Sequence, residues 1–260
     1  MNYKVITNED EESFDDISQF RSKKSNIHIS VIIPTYNERE LIEKIINSIS
    51  YTLKDKLFEI IVVDDSSPDK TAEVVRGLIP THKEVTLLIR TKRGVFSAQQ
   101  DGIKMAIGRY IVLMDADFSH PPAMILEMHN NINNNDIISC SRFLPESKII
   151  APFARRYSTL LLNLALRIFM RYDLTDYTSI FLMADKQKWE KLRFYYDSIW
   201  GEAGIEIFHQ ARLNNLKVKE IPFTYNFREE GNSKSDKLLK YAYVYIKRAL
   251  DIKFFYRGIK

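Results

Sequence analysis

"VLMDADFSHPP", residues 112–122, decides how the chain is read. An apolar run ends in two carboxylates, Asp115 and Asp117, one residue apart, and a double proline, Pro121 and Pro122, follows at once. Two close carboxylates repel unless a cation sits between them or one takes up a proton. At i and i+2 of a strand end they face the same way. Hard divalent cations such as Mg²⁺ or Mn²⁺ prefer oxygen ligands and share them with substrate phosphates. An isolated Asp-x-Asp is equally a turn in which one Asp caps the next helix and the other is solvated. The surrounding sequence has to choose.

The same plan recurs on either side. Residues 27–34, "IHISVIIP", read as a short buried strand closed by a proline. "TYNERELIEKIINSI" follows, with Thr35 or Asn37 as helix cap and Leu41, Ile42, Ile45, Ile46 and Ile49 at helical spacing. "FEIIVVDDSSPDKTAEVVRGL" repeats strand, polar turn and helix. "VTLLIR" is a third strand, residues 98–108 a helix, "RYIVLMDAD" a fourth strand and "DIISCSRF" a fifth. Strands that are apolar throughout, alternating with helices, predict an α/β fold: a mostly parallel, Rossmann-like sheet with helices on both faces. Ligands in such sheets collect beyond the carboxyl ends of the strands. Three of those ends are polar here: Thr35 to Glu38, Asp64-Asp65, and Asp115 with Asp117. That company favours a metal–diphosphate site over a plain turn. Neither a G-x-G-x-x-G nor a P-loop pattern occurs, which argues against a dinucleotide fold or a P-loop enzyme.

Composition agrees with one sizeable domain. The 260 residues are 45% hydrophobic and 28% charged, ordinary values for a chain with a large core. The net charge of +4 points mildly to an anionic partner. Six acids crowd residues 1–20 against one base, so residues 1–26 are expected to be an acidic, disordered extension. The lone cysteine, Cys140, excludes an internal disulfide and reads as a small buried hydrophobe. Neither a signal-peptide core nor a run of about 18 apolar residues is present, so no spanning helix is expected.

"VIIPTYNERE", "IIVVDDSSPDKT", "GVFSAQQDGIKMAIGRYIVLMDADFSHPP", "SCSRF" and "FREEGNSK" occur in that order. Together they resemble the family 2 glycosyltransferases of the GT-A fold, and among them the dolichol-phosphate mannose synthases and related polyprenyl-phosphate sugar transferases. The resemblance covers roughly residues 28–240. It implies that Pro34, Tyr36, Glu38 and Asp65 hold the nucleotide of a nucleotide-sugar donor. Asp115 and Asp117 would bind the divalent cation, with Asp115 also serving the donor. Asp117 and Arg228 carry the implied catalytic roles, and Arg228, Ser233 and Lys234 would close over the diphosphate. Arg142, Arg155 and Arg156 are the implied acceptor-binding residues. The chemistry is coherent, because a metal clamp with Arg and Lys stabilises a departing diphosphate. An ionised lipid phosphate acceptor makes a strong general base less necessary. His120, beside the acidic pair, reads first as a turn-stabilising residue and only second as a third metal ligand.

Departures from the mannose-synthase pattern lie where sugar and acceptor belong. "YTSIFL", Tyr177 to Leu182, replaces "L-T-G-S-F-R"; Leu160 stands where a second arginine is usual; "GVFSA" replaces "GLGTA". Two basic amphipathic segments bear on membrane contact. In "RRYSTLLLNLALRIFMR", residues 155–171, Arg156, Asn163, Arg167 and Arg171 form a polar stripe beside a wide apolar arc. In residues 237–255, Lys240, Lys247 and Asp251 lie opposite aromatic and aliphatic residues.

The expectation is a GT-A domain over residues 27–235 followed by a basic, aromatic helix over residues 236–260. The implied activity is inverting transfer of a sugar, mannose from GDP-mannose, to dolichyl or polyprenyl phosphate. It would act peripherally at the cytoplasmic face of a membrane, with a membrane-subunit partner or homo-oligomerisation as anchor and no nucleic-acid partner. The rival readings are a UDP-sugar donor with a glycan acceptor, and a non-catalytic nucleotide-binding subunit.

Overall fold

The apolar runs form strands because their side chains are buried on both faces of one sheet. The computed structural model describes residues 3–15, 26–195, 201–227 and 238–255. The elements in chain order begin with β1 (Tyr3–Ile6), β2 (Glu11–Phe14), β3 (Ile29–Thr35), α1 (Ile42–Thr52), β4 (Phe58–Asp64), α2 (Thr71–Leu78) and β5 (Val85–Arg90). The middle comprises α3 (Val95–Met105), β6 (Tyr110–Leu113), α4 (Met124–Asn131), β7 (Ile137–Ser141), β8 (Lys148–Ile150) and α5 (Phe153–Met170). The remainder is β9 (Leu182–Asp185), α6 (Lys186–Trp189), α7 (Ala203–Leu213), β10 (Val218–Pro222), β11 (Thr224–Asn226) and α8 (Leu238–Phe255).

Nine strands form the main sheet in the order β10-β7-β9-β6-β3-β4-β5-β1-β2. Its centre, β6-β3-β4-β5, is parallel, as the alternation of strands and helices predicts. The whole is more mixed than expected. β9 runs antiparallel between β6 and β7, and β1 and β2 add an antiparallel edge beside β5. Alternation splits the core in two. Ile32, Ile61, Val63 and Leu113 face a cluster built from α3, α5, α7 and α8. Val31, Ile33, Val62 and Val112 face one built from α1, α2 and α4. Helices therefore cover both faces.

The first residues correct an expectation. Tyr3 to Phe14 is a hairpin, not a disordered extension. Tyr3, Val5 and Ile6 are buried against the edge of β5, while Glu11 and Glu12 stay exposed on β2. Burying three apolar side chains outweighs the acidic composition, because the acids are kept on the outer strand. The Thr7 hydroxyl accepts the Glu9 and Asp10 amides and so builds the turn.

A second correction concerns α5. Asn163, placed by periodicity on the polar stripe, is buried, and Leu160, Leu161, Leu164 and Ile168 are exposed. Asn163 Oδ1 accepts the Tyr177 amide at 2.7 Å, and its Nδ2 donates to Thr178 Oγ1 at 3.0 Å. A backbone amide and a hydroxyl that need a partner draw the asparagine inward. Part of the apolar arc is left facing out.

Candidate active site

β3, β4 and β6 lie side by side and parallel, so their polar carboxyl ends meet. Each turns through a left-handed residue just beyond the strand: Asn37 at φ 59°, Ser66 at φ 51° and Phe118 at φ 58°. A phenylalanine in that region is strained, at a cost of about 1–3 kcal/mol. Such strain persists where the surroundings hold it.

The β3 and β4 turns are tied by Asp64, which is fully buried. It accepts Thr35 Oγ1 at 3.0 Å, Ser67 Oγ at 2.5 Å and the Ser67 amide at 2.8 Å. The Asn37 amide donates to Ser67 Oγ, and the Glu38 amide to Thr71 Oγ1. These bonds displace the expected helix start. Neither Thr35 nor Asn37 caps α1, which begins at Ile42 after a turn closed on the Glu38 carbonyl.

Asp65 points the other way, to the side of α3. Its Oδ1 accepts Arg90 Nε at 2.8 Å and its Oδ2 the Gly94 amide at 2.9 Å. Burial lifts its pKa above the ordinary carboxylate value, against the opposing pull of Arg90 and the Gly94 amide. Arg90, 1% exposed, also binds Asp101 and the carbonyls of Lys92 and Gly94. It therefore shapes the loop that opens α3. Of the other nucleotide-site candidates, Pro34 is half-buried on β3, Glu38 is buried, and the Arg93 guanidinium stacks 3.6 Å from the Tyr36 ring centroid.

Beyond β6, Asp117 Oδ1 accepts both the amide and the hydroxyl of Ser119, at 3.1 and 2.6 Å. Among the described residues Asp117 Oδ2 takes no hydrogen bond. The Asp115 side chain is 48% exposed. His120 is the turn-stabilising residue expected. Its Nδ1 accepts the Asp115 amide at 2.9 Å, its ring stacks on Phe181 at 4.5 Å, and its Nε2 lies 3.8 Å from Asp115 Oδ2. Among the described residues no third His, Cys, Asp or Glu completes a metal cage. Two carboxylates with an oxygen to spare fit a hard cation that takes its other ligands from phosphates and water.

Tyr225, unforeseen from the sequence, gathers the candidates. The Arg142 guanidinium lies 5.3 Å from its ring centroid. Burial raises its hydroxyl pKa; Arg142 and Arg155 oppose the rise, and Asp117 and Asp115 add to it. The charges of four predicted site residues thus act on one phenol. Arg142 itself is anchored. Its Nε and Nη2 form a bidentate pair with Asp176 at 2.7 and 2.9 Å, and Nη2 also donates to Thr178 Oγ1. Burial would raise the pKa of Asp176, but the Arg142 charge and hydrogen bonds hold it below the ordinary value. Arg155 lies over the Phe227 ring, and Arg156 is exposed on α5. Arg228, Ser233 and Lys234 lie outside the described residues.

The model of the family described as glycosyl transferase family 2 matches residues 30–193. The chain belongs to glycosyl transferase family 2. That match runs from β3, through the Asp-x-Asp pair and Arg142, to the segment after α6. Among family relatives, the dolichol-phosphate mannosyltransferase of Pyrococcus furiosus is 36% identical over 211 residues, 79% of this chain and 58% of that protein. The chain thus spans under two thirds of that relative's length. The Saccharomyces cerevisiae protein of the same name is 29% identical over 222 residues, 80% of this chain and 81% of its own. Among solved structures, glucosyl-3-phosphoglycerate synthase from Mycobacterium tuberculosis, in complex with Mg²⁺ and UDP, superposes with a TM-score of 0.65. It is 19% identical, and the match covers 86% of this chain and 79% of that one. The same enzyme with Mn²⁺, UDP-glucose and phosphoglyceric acid gives 0.65 at 18% identity, covering 90% and 85%. The family 2 chain therefore has the GT-A architecture its motifs imply.

Proposed function

We propose that this family 2 chain is an inverting glycosyltransferase that moves a sugar from a nucleotide-sugar to a polyprenyl phosphate. The observation that carries the reading is the meeting of parallel β3, β4 and β6 at their polar carboxyl ends, which brings Asp65 and the Asp115–Asp117 pair to one edge of the sheet. Arg142, against the Tyr225 ring, and Arg155, over Phe227, supply the positive charge. The names of the relatives support dolichyl phosphate as acceptor and mannose, from GDP-mannose, as the sugar.

Asp115 and Asp117 hold the divalent cation, Mg²⁺ or Mn²⁺, in this reading. When bound, the ion neutralises charge on the departing diphosphate. Pro34, Tyr36, Glu38 and Asp65 hold the nucleotide, and Arg90 fixes the Asp65 carboxylate in place. Arg228, Ser233 and Lys234 cover the diphosphate, and Arg142, Arg155 and Arg156 face the acceptor phosphate. The acceptor oxygen is ionised near neutral pH, so it attacks without a strong base, and the leaving nucleoside diphosphate departs from the opposite side of the anomeric carbon.

The same reading places the protein peripherally on the cytoplasmic face of a membrane. No helix among the described residues is long and apolar enough to cross one. α5 and α8 pack together and expose Leu161, Leu164, Ile168, Tyr243, Ile246 and Phe254 beside basic residues, which supports interfacial contact. A membrane subunit or a second copy would strengthen it.

The test is transfer of radiolabel from GDP- and UDP-sugars to a short polyprenyl phosphate, with Mn²⁺ or Mg²⁺. Label in organic solvent from one donor, lost with EDTA and lost in the Asp115→Ala, Asp117→Ala double variant, is expected. Full transfer by that variant sinks the metal assignment. Transfer to a soluble sugar instead replaces the lipid acceptor with a glycan.

A further inference from the structure

Arg142 follows directly on β7, and its bidentate pair with Asp176 is only part of what holds it. Nη2 also donates to Thr178 Oγ1, at 2.5 Å. The same hydroxyl accepts Asn163 Nδ2 at 3.0 Å and donates to Asp176 Oδ1 at 3.0 Å. Thr178 and Asn163 are both buried.

The donor directions in this network admit one arrangement. A guanidinium N–H only donates. Asn163 Oδ1 accepts the Tyr177 amide, so Nδ2 is the atom turned to Thr178. Two donors thus take the lone pairs of the Thr178 oxygen. Its proton is left with Asp176 Oδ1, which also accepts the Thr178 amide at 3.1 Å. A hydroxyl with all three positions used cannot turn without leaving a buried donor unmatched.

The loop that carries Thr178 is held by three elements. Glu220 on β10 accepts the amides of Thr175 and Asp176, at 2.7 and 2.9 Å. Asn163 on α5 accepts the Tyr177 amide. α7 comes so close that a Cβ at Gly204 would stand 2.4 Å from the Tyr177 carbonyl oxygen. A bidentate ion pair by itself still hinges. A third bond, from the guanidinium to a fixed group outside the carboxylate, removes that freedom.

We propose that Thr178 is a positioning residue for the acceptor phosphate. Its hydroxyl fixes the Arg142 guanidinium and, through Asn163, ties it to α5, the helix that carries Arg155 and Arg156. The three arginines are thereby held in one frame. The assignment rests on the acceptor reading of Arg142 above. A displacement of about 1 Å in such a group is worth up to about 10²-fold in rate. Among the described residues the Thr178 hydroxyl bonds none of the donor candidates Pro34, Tyr36, Glu38, Asp65 and Asp115, so its loss is felt on the acceptor side.

The experiment uses the full chain with Mn²⁺, a short polyprenyl phosphate and the donor that gives transfer. KM for each substrate and the unliganded Tm are measured for the wild type, Thr178→Val and Thr178→Ser. Valine keeps the shape and removes the hydroxyl; serine keeps the hydroxyl. The expected result is an acceptor KM raised roughly tenfold in Thr178→Val, an unchanged donor KM, and recovery of the acceptor KM in Thr178→Ser. Should Thr178→Val fail to fold, Thr178→Ala, which leaves room for a water between Arg142 and Asn163, takes its place with the same expectation. A lowered Tm with an unchanged acceptor KM overturns the proposal and makes the hydroxyl a structural group. So does a rise shared equally by donor and acceptor, or a serine variant as impaired as the valine one. A wild type that transfers to no polyprenyl phosphate overturns the acceptor reading and this assignment with it. That failure is distinct from a wild type and a valine variant that use the lipid equally well.

Discussion

Asp176 shows how a single residue can be decided by one partner. It is fully buried, and Arg142 supplies the charge that keeps it ionised. Removing one member of a buried pair leaves an uncompensated charge, so Arg142→Met is expected to cost about 3–5 kcal/mol, read from urea unfolding. A loss under 1 kcal/mol would show that the pair is not structural. His28 and His129 make a second residue-scale contact, Nε2 to Nε2 at 3.0 Å, at the start of β3. Burial, then the charge of His28, then that of Lys56, hold the His129 pKa below its ordinary value of 6.5. Its folded form is therefore the neutral ring. The stability it contributes is complete above pH 6.5 and is lost as pH falls from there towards the native value. The Tm is expected to fall between pH 7 and 5, and His129→Gln should flatten that slope. An unchanged slope would refute it. Nothing local in the sequence joins these two histidines, since 101 positions separate them.

Among the elements, α7 is set by a glycine. A Cβ at Gly204 would lie 2.4 Å from the Tyr177 carbonyl oxygen, a backbone atom that cannot swing aside. Ala is the better helix former by about 1 kcal/mol, so propensity alone predicts stabilisation. The clash reverses the sign, and Gly204→Ala should lose about 1–3 kcal/mol in chemical denaturation. A gain would mean that α7 can slide away from the Tyr177 loop. The elements differ in how far the sequence revealed them. β3, β4 and β5 are continuous apolar runs and are legible as buried strands. α5 is legible as a helix, but its buried face is not. Asn163 turns inward to serve the Tyr177 amide, 14 residues on, and periodicity carries no record of that need.

For the whole molecule, the question is what closes the sheet beyond β5. The hairpin of β1 and β2 buries Tyr3, Val5 and Ile6, and the Tyr3 hydroxyl donates to Asp101, a partner of Arg90. At about 1.5–3 kcal/mol for each buried side chain, an upper bound for the loss is several kcal/mol. Deleting residues 1–15 should lower the Tm and, by uncovering the β5 edge, promote aggregation, read by light scattering during heating. A deletion variant that melts like the full chain would make the hairpin an ornament.

Strand and helix positions, and the polar strand ends holding Pro34, Asp65, Asp115 and Asp117, were determined by the sequence itself, because period and composition are local properties. Its ordered motifs carried the family in the same way. The tertiary structure alone decided that residues 3–14 form a hairpin on the edge of β5, that Arg142 rests on Asp176 and that its guanidinium lies against Tyr225. Each of those depends on a group brought close from far along the chain. Hydrogen bonding and desolvation are settled by what surrounds a group in space, and that exists only once the sheet and its helices have assembled.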